Sequence, residues 1–264
     1  MNILLLGHHD IASNVALGLI GAGLPGHRFD VRLSGAVASR GEPPALLREL
    51  AAHEECLCND LADSAAARSA GLLPFEELPW SSGGTFGELP RPNDPEGLDA
   101  LRDCAPDLVI SVRYRRILRA EAIAVPRYGV LNLHSGLLPE YKGMMATFWA
   151  MLNGESVIGS TLHYIVDAGI DTGPVVGRAP LPADRQRTYL ANVLSLYPAG
   201  CAMVVDAVKR IEAGGSPGRV EQPHAGRYYS SPEAADVARF EQAGFRLFDG
   251  TELDAFIELN AARP

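Results

Sequence analysis

The sequence predicts an α/β fold, a mostly parallel sheet with helices on both faces, plus a small mostly helical C-terminal extension. Two observations lead there. Short apolar runs alternate with stretches of helical apolar spacing as far as about residue 181, and such alternation implies parallel strands with both sheet faces covered. Beyond that point the apolar residues keep helical spacing.

Taken in order, "NILLLG" (residues 2–7) is a buried first strand closed by Gly7. "ASNVALGLIGAG" follows with helical spacing and ends in the glycines at 21 and 23. "DVRLSGAVAS" (30–39) is a second strand, and residues 42–71 are mostly helical. Residues 78–97, "LPWSSGGTFGELPRPNDPEG", are dense in Gly, Pro and Ser and read as one long loop, a kind that is usually functional or disordered. "DLVISV" (107–112) and "GVLNLH" (129–134) are strands. "STLHYIVDAGIDTGPVV" (160–176) reads as strand, polar turn and strand. Residues 187–215 form one long helix, with Pro198 as a kink point. Its apolar surface from Leu190 to Val205 can pack inward or serve as a homodimer face. In the tail, Tyr228 and Tyr229 read as an exposed aromatic pair. A helix then starts with its N-cap near Ser231 and Pro232 at its first position.

The 264 residues are 47% hydrophobic, enough for one large core. No apolar run approaches the roughly 20 residues of a membrane span. The N-terminus lacks the basic start and small-residue cleavage site of a secretion signal. A cytoplasmic protein without a membrane partner is expected. The net charge of −9 opposes broad attraction to nucleic acid. Cys56 and Cys58 stand too close for the usual zinc spacing, and no second pair follows; reduced thiols are expected.

After the first strand comes "GHHDIAS". A dinucleotide site wants G-x-G-x-x-G at that place, and only Gly7 is present. That removes the main support for a nicotinamide dehydrogenase. His8, His9 and Asp10 are metal-capable types, but adjacent side chains diverge on extended chain, so no metal is expected. Asn132 and His134 stand two residues apart on a strand and so share a face. They lie at its carboxyl end, where open α/β sheets bind ligands. An uncharged amide donor beside an imidazole suits an oxyanion forming on a carbonyl under attack. Read blandly, the pair is a capping Asn and a loop His. Asp171, before Gly173-Pro174, can orient a histidine and accept a proton, or bond its own turn. Asp171 lies 39 residues after Asn132, and the sequence does not show that they meet.

Together these segments resemble the folate-dependent formyltransferase family. The resemblance runs from Leu108 to Val176 and rests on four motifs in order: Asn132-x-His134, Leu137-Leu138-Pro139, Tyr141-Lys142-Gly143, and Asp171-Thr172-Gly173-Pro174. "RRILRAE" is similar to the family's pteridine-side loop. Two departures stand out. His134-Ser135-Gly136 replaces the frequent His-Pro-Ser, which changes loop stiffness. The glycine-rich phosphate loop of the purine-pathway members is absent, which argues against a ribonucleotide substrate.

The resemblance implies a Rossmann-like catalytic domain over 1–181 and a helical extension over 182–264. It implies 10-formyltetrahydrofolate as formyl donor and no metal. Catalysis falls to Asn132, His134 and Asp171, and pteridine binding to Arg116, Ile117, Leu118, Val166, Asp167, Ala168, Gly169 and Ile170. For Ile117 and Leu118 the residues alone suggest ordinary strand core. The acceptor is a small-molecule amine, with an amino-sugar nucleotide foremost. An amine or hydroxylamine of secondary metabolism and a formyltetrahydrofolate hydrolase are the alternatives. A nucleic-acid acceptor is not expected, because the tRNA-acting members carry a basic C-terminal barrel where this chain is acidic and helical. The 80–96 loop and Tyr228-Tyr229 are the expected acceptor contacts.

Overall fold

A computed structural model of the chain describes residues 1–36, 41–61, 63–78, 83–223 and 225–261. Trp80, in the loop expected to touch the acceptor, lies outside the described residues.

β1 (Asn2–Gly7), β2 (Arg28–Leu33), β4 (Leu108–Ser111) and β5 (Val130–His134) form a parallel sheet, extended on one side by β3 (Phe86–Glu88). β7 (Val157–Ile165) and β8 (Val175–Pro182) complete it on the other side as antiparallel strands. The order is β3-β2-β1-β4-β5-β7-β8. Strand order reverses between β1 and β4, the place where such sheets open a ligand crevice at the carboxyl ends. The outer strands are blunt. β3 has three residues; β8 carries Pro180 and Pro182, and Val175 at its start already pairs with Val220.

The alternation within β1 explains the layers, since successive side chains point to opposite faces. Ile3 and Leu5 enter the main core with α1 (Ile11–Gly23), α2 (Ala45–Asp60) and α7 (Tyr189–Glu212). Leu4 and Leu6 enter a second core with α4 (Pro95–Asp103) and α5 (Ala120–Ile123). α7 is long and apolar enough, by length and composition, to cross a membrane. Here Leu190, Val193, Leu194, Tyr197 and Val204 on it are buried against α1 and the sheet. The apolar surface expected either to pack inward or to face a second copy therefore packs inward. α9 (Glu252–Ala261) packs on α7, and Phe256 belongs to the same main core. The core runs through residue 181 without a break.

The tail differs from the sequence expectation. Tyr228 is 52% exposed, but Tyr229 is buried, stacked on Tyr141 with ring centroids 5.3 Å apart. The cause is a small second sheet. β9 (Arg227–Tyr229) pairs with β6 (Tyr141–Gly143), and alternation sends the two tyrosines to opposite sides. α8 (Ala234–Gln242) starts after Glu233, not Ser231. Glu233 and Asp236 form a reciprocal capping box that satisfies the free N–H groups of the first turn. The 78–97 loop also differs: it contains β3, and α4 begins at Pro95. The remaining helices are α3 (Ala65–Ser69) and α6 (Ala146–Leu152).

Candidate active site

β5 delivers Asn132 and His134 to one face, as period-two geometry requires. β7 runs antiparallel beside it and places His163 directly opposite Asn132. The turn leaving β7 returns Asp171 to the same point. Its backbone is left-handed, at φ 54°, a conformation Asp tolerates better than most residues.

Four side chains, one of them the Asp171 carboxylate, meet here with one backbone N–H. His163 Nε2 is 3.3 Å from Asp171 Oδ1, and His134 Nδ1 is 3.6 Å from Asp171 Oδ2. Asn132 Nδ2 lies 3.0 Å from His163 Nε2, within hydrogen-bond reach. The Gly143 N–H donates to Asp171 Oδ2 at 2.8 Å. Gly143 is required there: its φ is 95°, and a β carbon would stand 2.2 Å from the Tyr229 carbonyl oxygen. Asp171 and both histidines are buried, while Asn132 is half-buried. Burial raises the Asp171 pKa, but the His134 charge, the His163 hydrogen bond and charge, and the Gly143 N–H outweigh it and hold the carboxyl at about 2.

The carbonyl partners constrain the protons, because a carbonyl only accepts. His163 Nδ1 donates to the Tyr164 carbonyl at 2.9 Å, and His134 Nε2 donates to the Tyr141 carbonyl at 2.7 Å. His163 Nε2 then has two possible uses. Without a proton it accepts from Asn132; with one it donates to Asp171. It cannot do both, so a proton arriving here exchanges one hydrogen bond for the other. His134 Nδ1, facing the carboxylate, is the second place where a proton is stabilised. The arrangement can take up one proton, keep its countercharge buried, and offer a neutral amide donor beside it.

The loop after His134 is tightly held. Thr161 Oγ1 donates to the Gly136 carbonyl and accepts from the Leu138 N–H; Thr147 Oγ1 donates to the Ser135 carbonyl. A β carbon at Gly136 would lie 2.6 Å from His134 Nε2 and 2.5 Å from the Ala146 β carbon. The Ser135-Gly136 departure thus fits a loop that folds closely over its own histidine.

His163 was not singled out by the sequence, although it lies within "STLHYIV". The signal that finds it is the β5–β7 register. The segment from Val166 to Ile170 leads into Asp171 and is exposed throughout, with Val166 and Ile170 among the large apolar residues left uncovered. Within it, the Asp167 carboxylate accepts from the Gly169 N–H, and Ala168 is exposed. Ile117 is 51% exposed, whereas the Leu118 side chain is buried in the second core; any contact Leu118 makes with a ligand falls to its backbone. Ile165 packs on that same core, so the two segments converge on one layer and leave their apolar neighbours open. Arg116 donates to the Ser34 and Ala36 carbonyls. Lys142 donates to the Ala225 carbonyl.

At the carboxyl end of β1 the side chains diverge. His8 Nδ1 meets Ser34 Oγ at 2.7 Å, His9 turns toward Glu55, and Asp10 is buried. One Asp10 oxygen caps α1 through the Ser13 N–H, and the other pairs with Arg113 Nε at 3.0 Å. Arg113 also holds Glu54 at 2.9 Å.

Residues 87–193 match the family model described as formyl transferase. The methionyl-tRNA formyltransferase of Acetivibrio thermocellus is 35% identical over 136 residues, covering 52% of this chain and 43% of that protein. That of Deinococcus radiodurans is 37% identical over 112 residues, covering 42% and 35%. The chain thus spans less than half the length of these curated relatives. Among solved structures, a sugar N-formyltransferase from a Shewanella species aligns over 98% of this chain and 87% of its own, at TM-score 0.56 and 16% identity. Glycinamide ribonucleotide transformylase 1 of Symbiobacterium toebii aligns over 83% and 92%, at TM-score 0.56 and 21% identity. The matched segment, similar to the formyl transferase family, is the one that carries the four converging side chains.

Proposed function

We propose that the protein transfers a formyl group from 10-formyltetrahydrofolate to the amine of a small molecule, with an amino-sugar nucleotide as the acceptor class. The observation that carries this reading is the convergence of Asn132, His134 and His163 on the Asp171 carboxylate. The amine attacks the formyl carbon, a C–N bond forms, and the carbonyl oxygen becomes an oxyanion. The second Asn132 amide hydrogen stabilises that oxygen. The ammonium then loses a proton, the folate nitrogen gains one, and the C–N bond to folate breaks.

Asp171 is a weak base when held at about 2, so its part is electrostatic. The departing proton goes to one of the two histidines whose ring nitrogens face the carboxylate, and Asp171 supplies the countercharge. The uncovered apolar residues Val166 and Ile170, which lead into Asp171, and the uncovered Ile117 suit the apolar faces of a flat heterocycle.

Two observations support the acceptor class. The sugar N-formyltransferase aligns over nearly the whole chain, and the net charge is −9, unfavourable for a tRNA. Methionyl-tRNA is the second reading, favoured by the names of the sequence relatives. The test incubates the protein and the donor with nucleotide-linked amino sugars, methionyl-tRNA, small amines and hydroxylamines, or no acceptor. Formylated amino sugar is the expected product. Formylated methionyl-tRNA alone overturns the acceptor class; rapid formate release without acceptor makes the protein a hydrolase.

A further inference from the structure

The Asp171 turn makes two demands that the matched segment does not meet. Asp171 has a left-handed backbone, and neither its carbonyl nor that of Gly173 accepts from a backbone N–H among the described residues; a buried carbonyl without a donor is costly. The donor comes from beyond α7. Gln222 Nε2 donates to the Asp171 carbonyl at 3.0 Å and to the Gly173 carbonyl at 2.6 Å. Both acceptors are carbonyls, so both hydrogens of the amide are committed and its orientation is fixed.

The surrounding segment is tied down as well. Val220 exchanges backbone hydrogen bonds with Val175 at 2.8 and 2.9 Å. Further on, the Arg227 N–H donates to the Glu140 carbonyl, and the Met144 N–H donates to the Tyr229 carbonyl. The chain from Val220 to Tyr229 therefore touches both loops that hold the carboxylate. One is the Asp171 turn, and the other is the loop whose Gly143 N–H meets Oδ2. Resting on the proposed function, we infer that Gln222 is a positioning residue that aims the Asp171 carboxylate at its two histidines by holding the turn's carbonyls.

The aim matters because the contacts are directional. Asp171 meets His163 through one oxygen and His134 and Gly143 through the other. Rotation of the turn separates all three contacts together. A misplacement of about 1 Å near reacting groups costs on the order of 10²-fold in rate.

The experiment compares Gln222→Met and Gln222→Ala with the wild type. Met has nearly the volume of Gln but carries no charge and offers the carbonyls no hydrogen. The readouts are kcat, donor KM and the carboxyl titration of Asp171 by carbon NMR, with thermal unfolding to select folded protein. At pH 7 each folded variant is expected to lose about 10–10²-fold in kcat, with donor KM within about twofold. The Asp171 titration should move up toward its ordinary value of 3.8. If Gln222 only fills space, Gln222→Met keeps wild-type kcat and titration, and the inference is overturned. If Gln222→Ala does not fold, Gln222→Met alone decides. A wild type without formyl transfer defeats the proposed function instead, and the Asp171 titration still decides whether Gln222 sets the carboxylate.

Discussion

Two buried carboxylates stand at carboxyl ends in one sheet, and their neighbours give them different work. Asp171 faces two imidazoles and a backbone N–H. Asp10 faces two guanidiniums, Arg113 at 3.0 Å and Arg115 at 3.5 Å, and caps α1. Both are held ionised against burial. A histidine releases its proton near neutral pH, whereas an arginine does not release its own. The Asp171 cluster can therefore move a proton; the Asp10 cluster can only hold charge in place. Asp10 also occupies the positive end of α1 with the chain's own carboxylate. A ligand phosphate has no vacancy at that pole, which adds a structural reason to the missing glycine-rich loop.

Substitutions at the two carboxylates should separate these roles. The largest effect is expected from Asp171→Asn, which keeps the shape and removes the countercharge. Formyl transfer should fall by about 10³–10⁴-fold with the fold intact by circular dichroism, and a loss below tenfold would reduce Asp171 to a turn residue. Asn132→Ala and His134→Ala should each lose about 10²–10³-fold in kcat; near-normal turnover of purified Asn132→Ala would remove the oxyanion assignment. At the other carboxylate, Asp10→Ala leaves Arg113 with Glu54 as its close partner and uncaps α1, and should cost about 1–3 kcal/mol of stability in urea. Folded Asp10→Ala should keep kcat within about tenfold; a deeper loss would place Asp10 in the chemistry.

The smallest effect concerns Glu54, whose pKa burial pushes up against the pull of Arg113. Folded Glu54 keeps a proton that the unfolded chain releases above its ordinary 4.5. It therefore subtracts stability as pH rises from there toward neutrality. Glu54→Gln should flatten that part of the stability-against-pH curve, and an unchanged slope would assign it to other groups. Asp171 has the opposite sign. It adds stability above 3.8 that is lost as pH falls through about 2, so Asp171→Asn should steepen nothing near neutrality.

Much of the fold was legible because the central strands are apolar runs closed by glycines or polar turns. β1, α1, β4, β5 and the β7–turn–β8 unit fall where such patterns place them. β3 escaped because three residues between glycines and prolines carry no period. The β6–β9 pair escaped because each strand is three residues long and Arg227 lies 84 positions after Gly143. Asn132, His134 and Asp171 were legible as types in order. Their meeting was not, because it depends on strand register and a left-handed turn. His163 shows the same limit: its period places it on β7, and only the register sets it against Asn132. Gln222 carries no pattern at all, since one amide in a loop becomes informative only when two outward carbonyls are found beneath it.

The blunt margins of the sheet bear on how copies of the chain can meet. A further strand needs a run of free N–H and C=O groups. One margin offers three residues, and the other interrupts its donors with Pro180 and Pro182. Growth of the sheet from molecule to molecule is thereby discouraged at both ends, a safeguard against fibrous association. Any pairing of copies is left to side chains on helices and loops, where one charge placed at the contact is enough to undo it.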